Sequence, residues 1–248
     1  MSDPRKVLVV AGGGTGGHVL AGVAVADAWR ERYGADAAVH FVGAQGGLEE
    51  KLVPRAGYPL TLLRVGSLNR VSLKKKLRTL IQLPFALLRS LFWLRSMKPT
   101  SVLGVGGYAS GPLVLMARLF TGASTAILEQ NTVSGFTNRL LGRWVHHVLC
   151  AFPGTQGPFR PERLMVTGNP TRAQIMRLKP AQVDPFTLFV FGGSQGAAGI
   201  NTLVLEALET MGEARSRVQV IHQTGEKDFE RVAAGYATIG MQGARVEK

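Results

Sequence analysis

Three glycine-rich loops constrain the fold of this chain more than any other feature of its sequence. Each loop follows a short apolar run and precedes a stretch of helical character, and the loops span residues 12–17, 106–111 and 192–197. Glycine lets the backbone approach a ligand closely, and a helix N-terminus presents unpaired N–H groups to an anion. Tight turns that need glycine only for packing are the alternative for each loop. Three such loops at the carboxyl ends of predicted strands favour a ligand that carries a diphosphate.

Predicted strands and helices alternate along the chain. Strands are predicted at Lys6–Ala11, Ala37–Val42, Tyr58–Leu63, Ser101–Leu103, Thr125–Leu128, His146–Cys150, Phe186–Phe191 and Val218–His222. Helices are predicted at Val19–Arg32, Leu48–Arg55, Leu73–Met97, Gly111–Phe120, Ser134–Arg143, Ala197–Met211 and Lys227–Tyr236. Pro84 should kink or divide the third of these helices. The alternation is typical of an α/β protein with a doubly wound parallel sheet.

The alternation restarts after a segment rich in proline and turn residues. We therefore expect an N-terminal Rossmann-like domain at residues 1–165, a linker at residues 166–185, and a second Rossmann-like domain at residues 186–248. The last region holds two predicted strands and two predicted helices, too few for an independent sheet of ordinary size. We expect this second domain to be incomplete.

The charge of the chain is concentrated in its first part. The net charge is +13, and the stretch from Arg64 to Lys98 holds nine basic residues and no acidic one. Such a stretch predicts an anionic partner, for which nucleic acid, anionic lipid and a phosphorylated substrate are candidates. A solvated basic surface without a partner is the alternative.

Several classes of protein are excluded by residues that the chain lacks. Its single cysteine, Cys150, cannot form an internal disulfide, and no His, Cys and Asp cluster has the spacing of metal ligands. No acidic residue ends the second predicted strand, where His40 to Val42 stand, so a nicotinamide cofactor is not expected. Glycines interrupt the apolar run from Val7 to Ala26, which argues against a membrane span or a signal peptide and favours a cytoplasmic protein.

His18 is the best candidate for a catalytic base. It lies at a predicted helix N-terminus beside the first glycine loop, where the helix end disfavours the imidazolium form. A structural hydrogen bond is the alternative role for a single histidine. We interpret His146, His147 and His222, which lie in or beside predicted strands, as structural.

Five short motifs occur in an order that matches a known family. They are GGTGGH at 13–18, GGYASGP at 106–112, EQN at 129–131, GNPTR at 168–172 and GGSQGA at 192–197. Together they resemble the MurG family of glycosyltransferases (glycosyltransferase family 28). The resemblance implies the GT-B fold, in which two Rossmann-like domains face a cleft. It also implies that the second domain of relatives continues beyond the length seen here, so we expect this chain to be C-terminally truncated.

The resemblance implies an activity and a set of partners. The family moves GlcNAc from UDP-GlcNAc to the C4 hydroxyl of undecaprenyl-diphospho-MurNAc-pentapeptide, with inversion, in peptidoglycan synthesis. No cofactor or divalent metal is implied. The implied location is the cytoplasmic face of the bacterial inner membrane, as a peripheral protein that contacts anionic lipids. Other cell-wall synthesis and division proteins are candidate partners, and nucleic acid is not.

The resemblance also assigns roles to individual residues. The proposed catalytic residues are His18 as general base and Glu129, which either orients a substrate hydroxyl or holds the Asn131 loop. The residues matched to UDP-GlcNAc binding are Thr15, Gly16, Gly17, Asn131, Arg172, Ser194 and Gln195. The residues matched to the acceptor diphosphate are Gly106, Gly107, Tyr108 and Ser110.

The basic stretch acquires a role from the same resemblance. Bulky apolar residues framed by cations suit the interface of an anionic membrane. The expected membrane patch comprises Leu73, Lys74, Lys75, Lys76, Leu77, Arg78, Ile81, Phe85, Arg89, Phe92 and Trp93. Packing of the apolar residues on the sheet, with solvated cations, is the alternative.

Two further functions stay open at the level of sequence. One is a truncated, non-catalytic, membrane-associated binding module of the same fold. The other is a related glycolipid glycosyltransferase. A nucleic-acid binder is disfavoured, because the basic stretch lacks any recognition motif.

Overall fold

The computed structural model describes residues 5–65, 73–176, 186–193 and 196–248, without the side chains of residues 73–78, 80, 174 and 176. The chain divides into two compact units, a first unit of residues 1–178 and a second unit of residues 179–248.

The first unit alternates parallel strands with helices. Its strands are β1 (Lys6–Gly12), β2 (Ala37–Ala44), β3 (Leu60–Leu63), β4 (Ser101–Gly106), β5 (Ser124–Glu129), β6 (His147–Cys150) and β7 (Leu164–Val166). Its helices are α1 (Gly16–Tyr33), α2 (Glu49–Arg55), α3 (Leu73–Met97), α4 (Ser110–Phe120), α5 (Phe136–Leu141) and α6 (Ala173–Met176). Among the described residues, seven strands form one sheet in the order β3-β2-β1-β4-β5-β6-β7. The prediction of a doubly wound parallel sheet is confirmed.

Two details of the first unit differ from the sequence prediction. Helix α3 runs without a break through Pro84, so this proline does not divide the helix, and a kink there stays a prediction. The short strand β7, which pairs with β6, was not predicted because it lies in the proline-rich segment. Its three residues are too few to show a hydrophobic period.

Strand β1 explains why the sheet is covered on both faces. Leu8 and Val10 belong to an apolar core that includes residues of α1, while Val9 and Ala11 belong to a second core that includes residues of α4. Successive strand side chains point to opposite faces, so an unbroken run of buried apolar residues requires helices on both sides. The strand therefore lies in the middle of the sheet, with β2 and β4 as its neighbours.

The second unit has a smaller parallel sheet. Its elements are β8 (Phe186–Phe191), α7 (Ala198–Thr210), β9 (Val218–Gln223), α8 (Phe229–Thr238) and β10 (Arg245–Glu247). The three described strands pair in the order β10-β9-β8, and the third strand was not predicted from the sequence. Its core joins Leu208 of α7, Val220 of β9, and Val232 and Tyr236 of α8.

Candidate functional site

The order of the strands marks one edge of the first sheet as a ligand site. The chain leaves β1 for β2 on one side of the sheet and returns to β4 on the other side, so the strand order reverses between β1 and β4. Ligands of open α/β sheets bind outside the carboxyl ends of the strands at such a reversal. The first glycine loop (residues 12–17) follows β1 and the second glycine loop (residues 106–111) follows β4, which brings both loops to this point.

The two glycine loops contact each other through their backbones. The Gly13 N–H donates to the Gly106 carbonyl oxygen at 3.1 Å. Gly107 has a φ of +82°, and a Cβ atom there would lie 2.5 Å from the Gly13 carbonyl oxygen. The Ser110 hydroxyl donates to the Gly107 carbonyl at 2.8 Å and so holds the second loop against α4. Glycine is therefore required at Gly107 both for its conformation and for its closeness to the first loop.

His18 lies over the second glycine loop. Its Nδ1 is 3.3 Å from the Gly13 carbonyl oxygen, and a Cβ atom on Gly106 would lie 3.0 Å from its Nε2. A carbonyl can only accept, so this contact places the ring proton on Nδ1. The neutral ring then carries a lone pair on Nε2, which is the arrangement that a general base needs.

Glu129 holds the loop that follows β5. Its side chain is 2% exposed. Oε1 accepts from the Asn131 backbone N–H at 2.9 Å and from Asn131 Nδ2 at 3.0 Å. Oε2 accepts from the Gly135 N–H at 2.9 Å and from Asn138 Nδ2 at 3.0 Å. Of the two roles left open for Glu129, these contacts favour holding the Asn131 loop.

These loops surround a cavity of about 360 Å³. The predicted site residues that line it are Thr15, His18, Gly106, Gly107, Tyr108, Glu129 and Asn131. The other lining residues are Gly13, Gly14, Gly135, Phe136, Thr137 and Asn138. Residues that the sequence assigned to donor, acceptor and catalysis thus share one cavity. A larger cavity of about 850 Å³ in the second unit contains none of the predicted residues.

Some predicted site residues lie away from this cavity or outside the described structure. Gly16 and Gly17 form the start of α1 beside it, and Arg172 is exposed near α6. Gln130 of the EQN motif links the GNPTR motif to the start of α1. Its Nε2 donates to Asn169 Oδ1 at 2.7 Å and to the Gly17 carbonyl at 3.5 Å. Ser194 and Gln195 lie outside the described residues.

Helices α1 and α4 of the first unit both begin beside the cavity. Helix α1 starts directly after Thr15, and helix α4 starts three residues after Gly107. The N–H groups of a first helical turn have no partner within the helix, and the macrodipole favours negative charge there. This edge of the sheet can therefore stabilise an anion such as a phosphate group.

Glu49, the most buried acidic residue near the site, was not predicted from the sequence. It is 1% exposed and begins α2, and its Oε2 accepts from the Gly14 N–H at 2.7 Å. The signal in the sequence was the cluster of glycines at Gly43, Gly46 and Gly47, which precedes this carboxylate. Only the folded chain shows that β2 brings these glycines beside the first glycine loop.

Two of the three histidines interpreted as structural, His222 and His146, have hydrogen-bond partners within the fold, whereas His147 is exposed. His222 is fully buried, with Nδ1 2.8 Å from the Tyr236 hydroxyl and Nε2 3.0 Å from Asn201 Oδ1. Burial lowers the pKa of His222 and raises the pKa of Tyr236 to about 12. His146 Nδ1 accepts from the Thr125 N–H at 3.0 Å. His146 therefore helps to hold the sheet of the first unit, and His222 helps to hold the second unit.

Helix α3 carries apolar residues on two faces. Ile81, Phe85, Leu88 and Phe92 are exposed and recur at helical spacing, so they form one outward stripe. Trp93 differs from the prediction, because it is half-buried and packs against the core of the sheet. The Arg89 side chain is exposed, in line with the predicted patch. The side chains of Leu73, Lys74, Lys75, Lys76, Leu77 and Arg78 lie outside the described structure.

Neither a metal centre nor a membrane-spanning helix is seen in the described part of the chain. Within residues 5–65, 73–176, 186–193 and 196–248, no group of three His, Cys, Asp or Glu side chains could hold a metal ion. No helix of the same ranges has the length and apolar character that crossing a bilayer requires.

Two family models match the chain. The glycosyltransferase family 28 N-terminal domain matches residues 8–150, which is more than half of the chain, and the corresponding C-terminal domain matches residues 187–243. The boundary between the two matches falls in the same region as the division between the two compact units.

Similar proteins carry one name. A protein of Myxococcus xanthus (strain DK1622) is 44% identical over 98% of this chain and 63% of its own length. A protein of Anaeromyxobacter dehalogenans (strain 2CP-C) is 46% identical over 94% of this chain and 61% of its own length. Both are named UDP-N-acetylglucosamine--N-acetylmuramyl-(pentapeptide) pyrophosphoryl-undecaprenol N-acetylglucosamine transferase. The chain thus spans less than two thirds of the length of these relatives.

Solved structures show the same architecture. The crystal structure of Acinetobacter baumannii MurG matches with a TM-score of 0.70 at 27% identity, over 98% of this chain and 65% of that one. A UDP-GlcNAc 2-epimerase from Neisseria meningitidis bound to UDP-GlcNAc matches with a TM-score of 0.59 at 12% identity, over 98% of this chain and 72% of that one. The second likeness is one of fold alone.

Proposed function

Because the chain belongs to glycosyltransferase family 28, we propose that it transfers N-acetylglucosamine from UDP-GlcNAc to the C4 hydroxyl of undecaprenyl-diphospho-MurNAc-pentapeptide. The names of the bacterial relatives support this pair of substrates. The observation that carries the proposal is His18, whose Nε2 lies at a cavity between two glycine loops while its Nδ1 is held by the Gly13 carbonyl.

The proposed reaction is a single displacement with inversion. His18 Nε2 accepts the proton of the acceptor C4 hydroxyl as that oxygen attacks the anomeric carbon of GlcNAc. The bond from the anomeric carbon to the β-phosphate oxygen breaks on the opposite side, and UDP leaves with the electron pair. The start of α1, at Thr15, Gly16 and Gly17, and the Arg172 guanidinium stabilise the charge that develops on the diphosphate.

We assign the second glycine loop to the acceptor diphosphate. Gly106, Gly107 and Tyr108 line the same cavity as His18, and the N-terminus of α4 adjoins them. Backbone N–H groups at a helix start suit phosphate oxygens. Because the Ser110 hydroxyl already donates to the Gly107 carbonyl, we assign Ser110 to holding this loop rather than to binding the ligand.

We assign the loop after β5 to the sugar of the donor. Asn131 lines the cavity and its amide is held by Glu129, which fixes where the Asn131 side chain points. Glu129 is then a positioning residue, since its four hydrogen bonds occupy both carboxylate oxygens. Ser194 and Gln195 of the third glycine loop, which lie outside the described residues, stay proposed contacts to UDP-GlcNAc.

The proposed transfer is tested with radiolabelled UDP-GlcNAc and a lipid-shortened acceptor. His18→Ala should lower kcat by about 10²–10⁴-fold, the usual contribution of a general base. His147→Ala is the matched control, because His147 is an exposed histidine of the same unit, on β6, and should leave kcat unchanged. Equal losses in both variants would contradict the role of His18. Binding of acceptor without any transfer by the native chain would favour the non-catalytic binding module instead.

We propose that the chain binds the cytoplasmic face of the inner membrane through the outward stripe of α3. Four large apolar side chains that face water on one helix are unusual for a surface without a partner, and the surrounding residues from Arg64 to Lys98 supply only positive charge. Anionic lipid is therefore the partner whose chemistry fits both the apolar stripe and the charge.

Sedimentation with vesicles tests the membrane proposal. Replacing Phe85 and Phe92 together by Ser should weaken binding to phosphatidylglycerol vesicles by more than about 100-fold, because each Phe that leaves water contributes about 1.5–3 kcal/mol. Phe152→Ser, at an exposed loop position outside α3, is the control and should bind like the native chain. Equal binding by all three proteins would place the membrane contact elsewhere.

A further inference from the structure

Glu49 is a buried carboxylate for which the proposed reaction has no use. It is 1% exposed, and the salt bridges of the described residues do not include it. Oε1 accepts from the Ala44 N–H at 2.9 Å and Oε2 from the Gly14 N–H at 2.7 Å. Burying a charge is costly, and an apolar side chain of similar volume would avoid that cost. Its presence beside the first glycine loop therefore requires an explanation.

The surroundings of Glu49 are shaped to its carboxyl group. A Cβ atom on Gly13 would lie 2.2 Å from Glu49 Cδ, and one on Gly47 would lie 2.1 Å from Glu49 Oε2. A Cβ atom on Gly43 would lie 2.5 Å from Glu49 Cγ. A side chain at any of these three positions would overlap Glu49, so all three must be glycine. The carboxylate is enclosed by the backbone of the first glycine loop and of the segment after β2.

Glu49 and His18 hold opposite ends of a single peptide group. The Gly13 carbonyl and the Gly14 N–H belong to the same planar unit, so fixing one end fixes the direction of the other. Glu49 accepts from the N–H end at 2.7 Å, and His18 Nδ1 donates to the carbonyl end at 3.3 Å. Hydrogen bonds in series polarise one another, so a carboxylate on the N–H side makes the carbonyl a stronger acceptor.

We propose that Glu49 is a positioning residue that acts through the Gly13–Gly14 peptide group to keep the His18 proton on Nδ1 and the Nε2 lone pair free. The inference rests on the proposed function in that it assigns His18 as the base. It also implies that the Gly14 N–H serves Glu49 and is not a phosphate donor, so the anion contacts of the first loop come from the residues that follow Gly14.

The direct test is the tautomer of His18, read from imidazole ¹⁵N chemical shifts at about pH 8, above the ordinary imidazole range. The native chain should show a proton on Nδ1, and the His18 signals are assigned by their loss in His18→Gln. In Glu49→Gln one amide nitrogen replaces an acceptor, and we expect a mixture of tautomers. Glu50→Gln is the matched control, because Glu50 is exposed and accepts from the Gly46 N–H at 2.7 Å. An unchanged Nδ1 tautomer in Glu49→Gln would overturn the inference.

Kinetics give a second readout that a purely structural role would not produce. Glu49→Gln should lower kcat by about 10–100-fold with little change in KM, since misplacement of a catalytic group by about 1 Å has effects of that size. In a His18→Ala background the same substitution should have almost no further effect on kcat, because its route to the reaction is gone. Independent, multiplicative losses would contradict a role through His18.

The two tests separate the inference from the proposed function. If the native chain transfers no sugar, the proposed function fails, while the tautomer of His18 still decides the inference about Glu49. If Glu49→Gln does not fold, as judged by far-UV circular dichroism, Glu49→Asp keeps the charge but shortens the reach by one methylene group. We expect Glu49→Asp to lose part of the preference for Nδ1, and full retention of that preference would count against the inference.

Discussion

Replacing Glu129 by Gln should destabilise the first unit strongly, although it changes only one atom of the side chain. The Glu129 carboxylate accepts four hydrogen bonds, two on each oxygen. A Gln side chain has one acceptor oxygen, so two of these bonds are lost and a new donor faces two existing donors. At about 1.5–3 kcal/mol for each bond to a charged group, the loss is about 3–6 kcal/mol.

The contacts of Glu129 place the expected value near the lower end of this range. Asn131 and Gly135 are exposed, so water can accept a hydrogen bond from an N–H group there that loses its bond to the Glu129 carboxylate. Asn138 is buried, and its Oδ1 has no hydrogen-bond partner in the described structure. Rotating its amide could meet the new Gln donor, but this would break the bond from Asn138 Nδ2 to the Leu128 carbonyl at 3.0 Å. We therefore expect a loss of about 3 kcal/mol.

Urea unfolding followed by tryptophan fluorescence measures this loss in the correct unit. All three tryptophans, Trp29, Trp93 and Trp144, belong to the first unit. With an m value of about 2 kcal/mol/M, a loss of about 3 kcal/mol lowers the midpoint by about 1.5 M urea. Glu31→Gln, at an exposed position of α1, is the control and should leave the midpoint unchanged. A shift below about 0.5 M in Glu129→Gln would refute the account of Glu129 as the anchor of its loop.

Two further predictions concern a glycine of the site and a buried histidine of the second unit. Gly107→Ala should destabilise the first unit by about 2 kcal/mol or more in the same urea assay. The φ of +82° at this position disfavours any residue but glycine, and a Cβ atom would lie 2.5 Å from the Gly13 carbonyl oxygen. Gly111→Ala, inside α4 with its nearest neighbour at 3.6 Å, should instead be neutral or stabilise by up to about 1 kcal/mol, and equal losses would contradict the reasoning. Burial lowers the pKa of His222 in the folded state below the ordinary histidine value of 6.5. Below that pH the unfolded chain binds more protons than the folded chain, so the stability of the second unit falls as the pH falls. Amide hydrogen exchange in β9 should therefore accelerate between pH 6.5 and 5 beyond its intrinsic pH dependence, and the same acceleration in His222→Gln would show that another group is responsible.

The sequence determined the fold class and the residues of the loops because those signals are local. The apolar run of β1 predicts a buried strand, and a glycine loop before a helix favours an anion site. His18 could be singled out by its place at the start of α1 alone. Motif order then sufficed to identify the family, which the family models match over residues 8–150 and 187–243.

Contacts between distant parts of the chain were decided only by the tertiary structure. Glu49 accepts a hydrogen bond from the Gly14 N–H, 35 residues away in sequence, and no short window of the sequence shows this contact. The role of Glu129 was likewise open until its four donors were known. Likewise, the helical period of α3 could not tell which apolar face is outward, because Trp93 and Phe92 are adjacent in sequence but face the core and the solvent respectively.

The physical reason for this division is the range of each interaction. Strand and helix patterns arise from periods of two to four residues and are visible in any short window. A hydrogen bond between Glu49 and Gly14 depends on the pairing of β1 with β2, whose register brings Ala11 beside Val42 and so sets the two loops next to each other. The sequence by itself determined which residue types reach the carboxyl edge of the sheet, and the parallel pairing of the strands decided which of them meet.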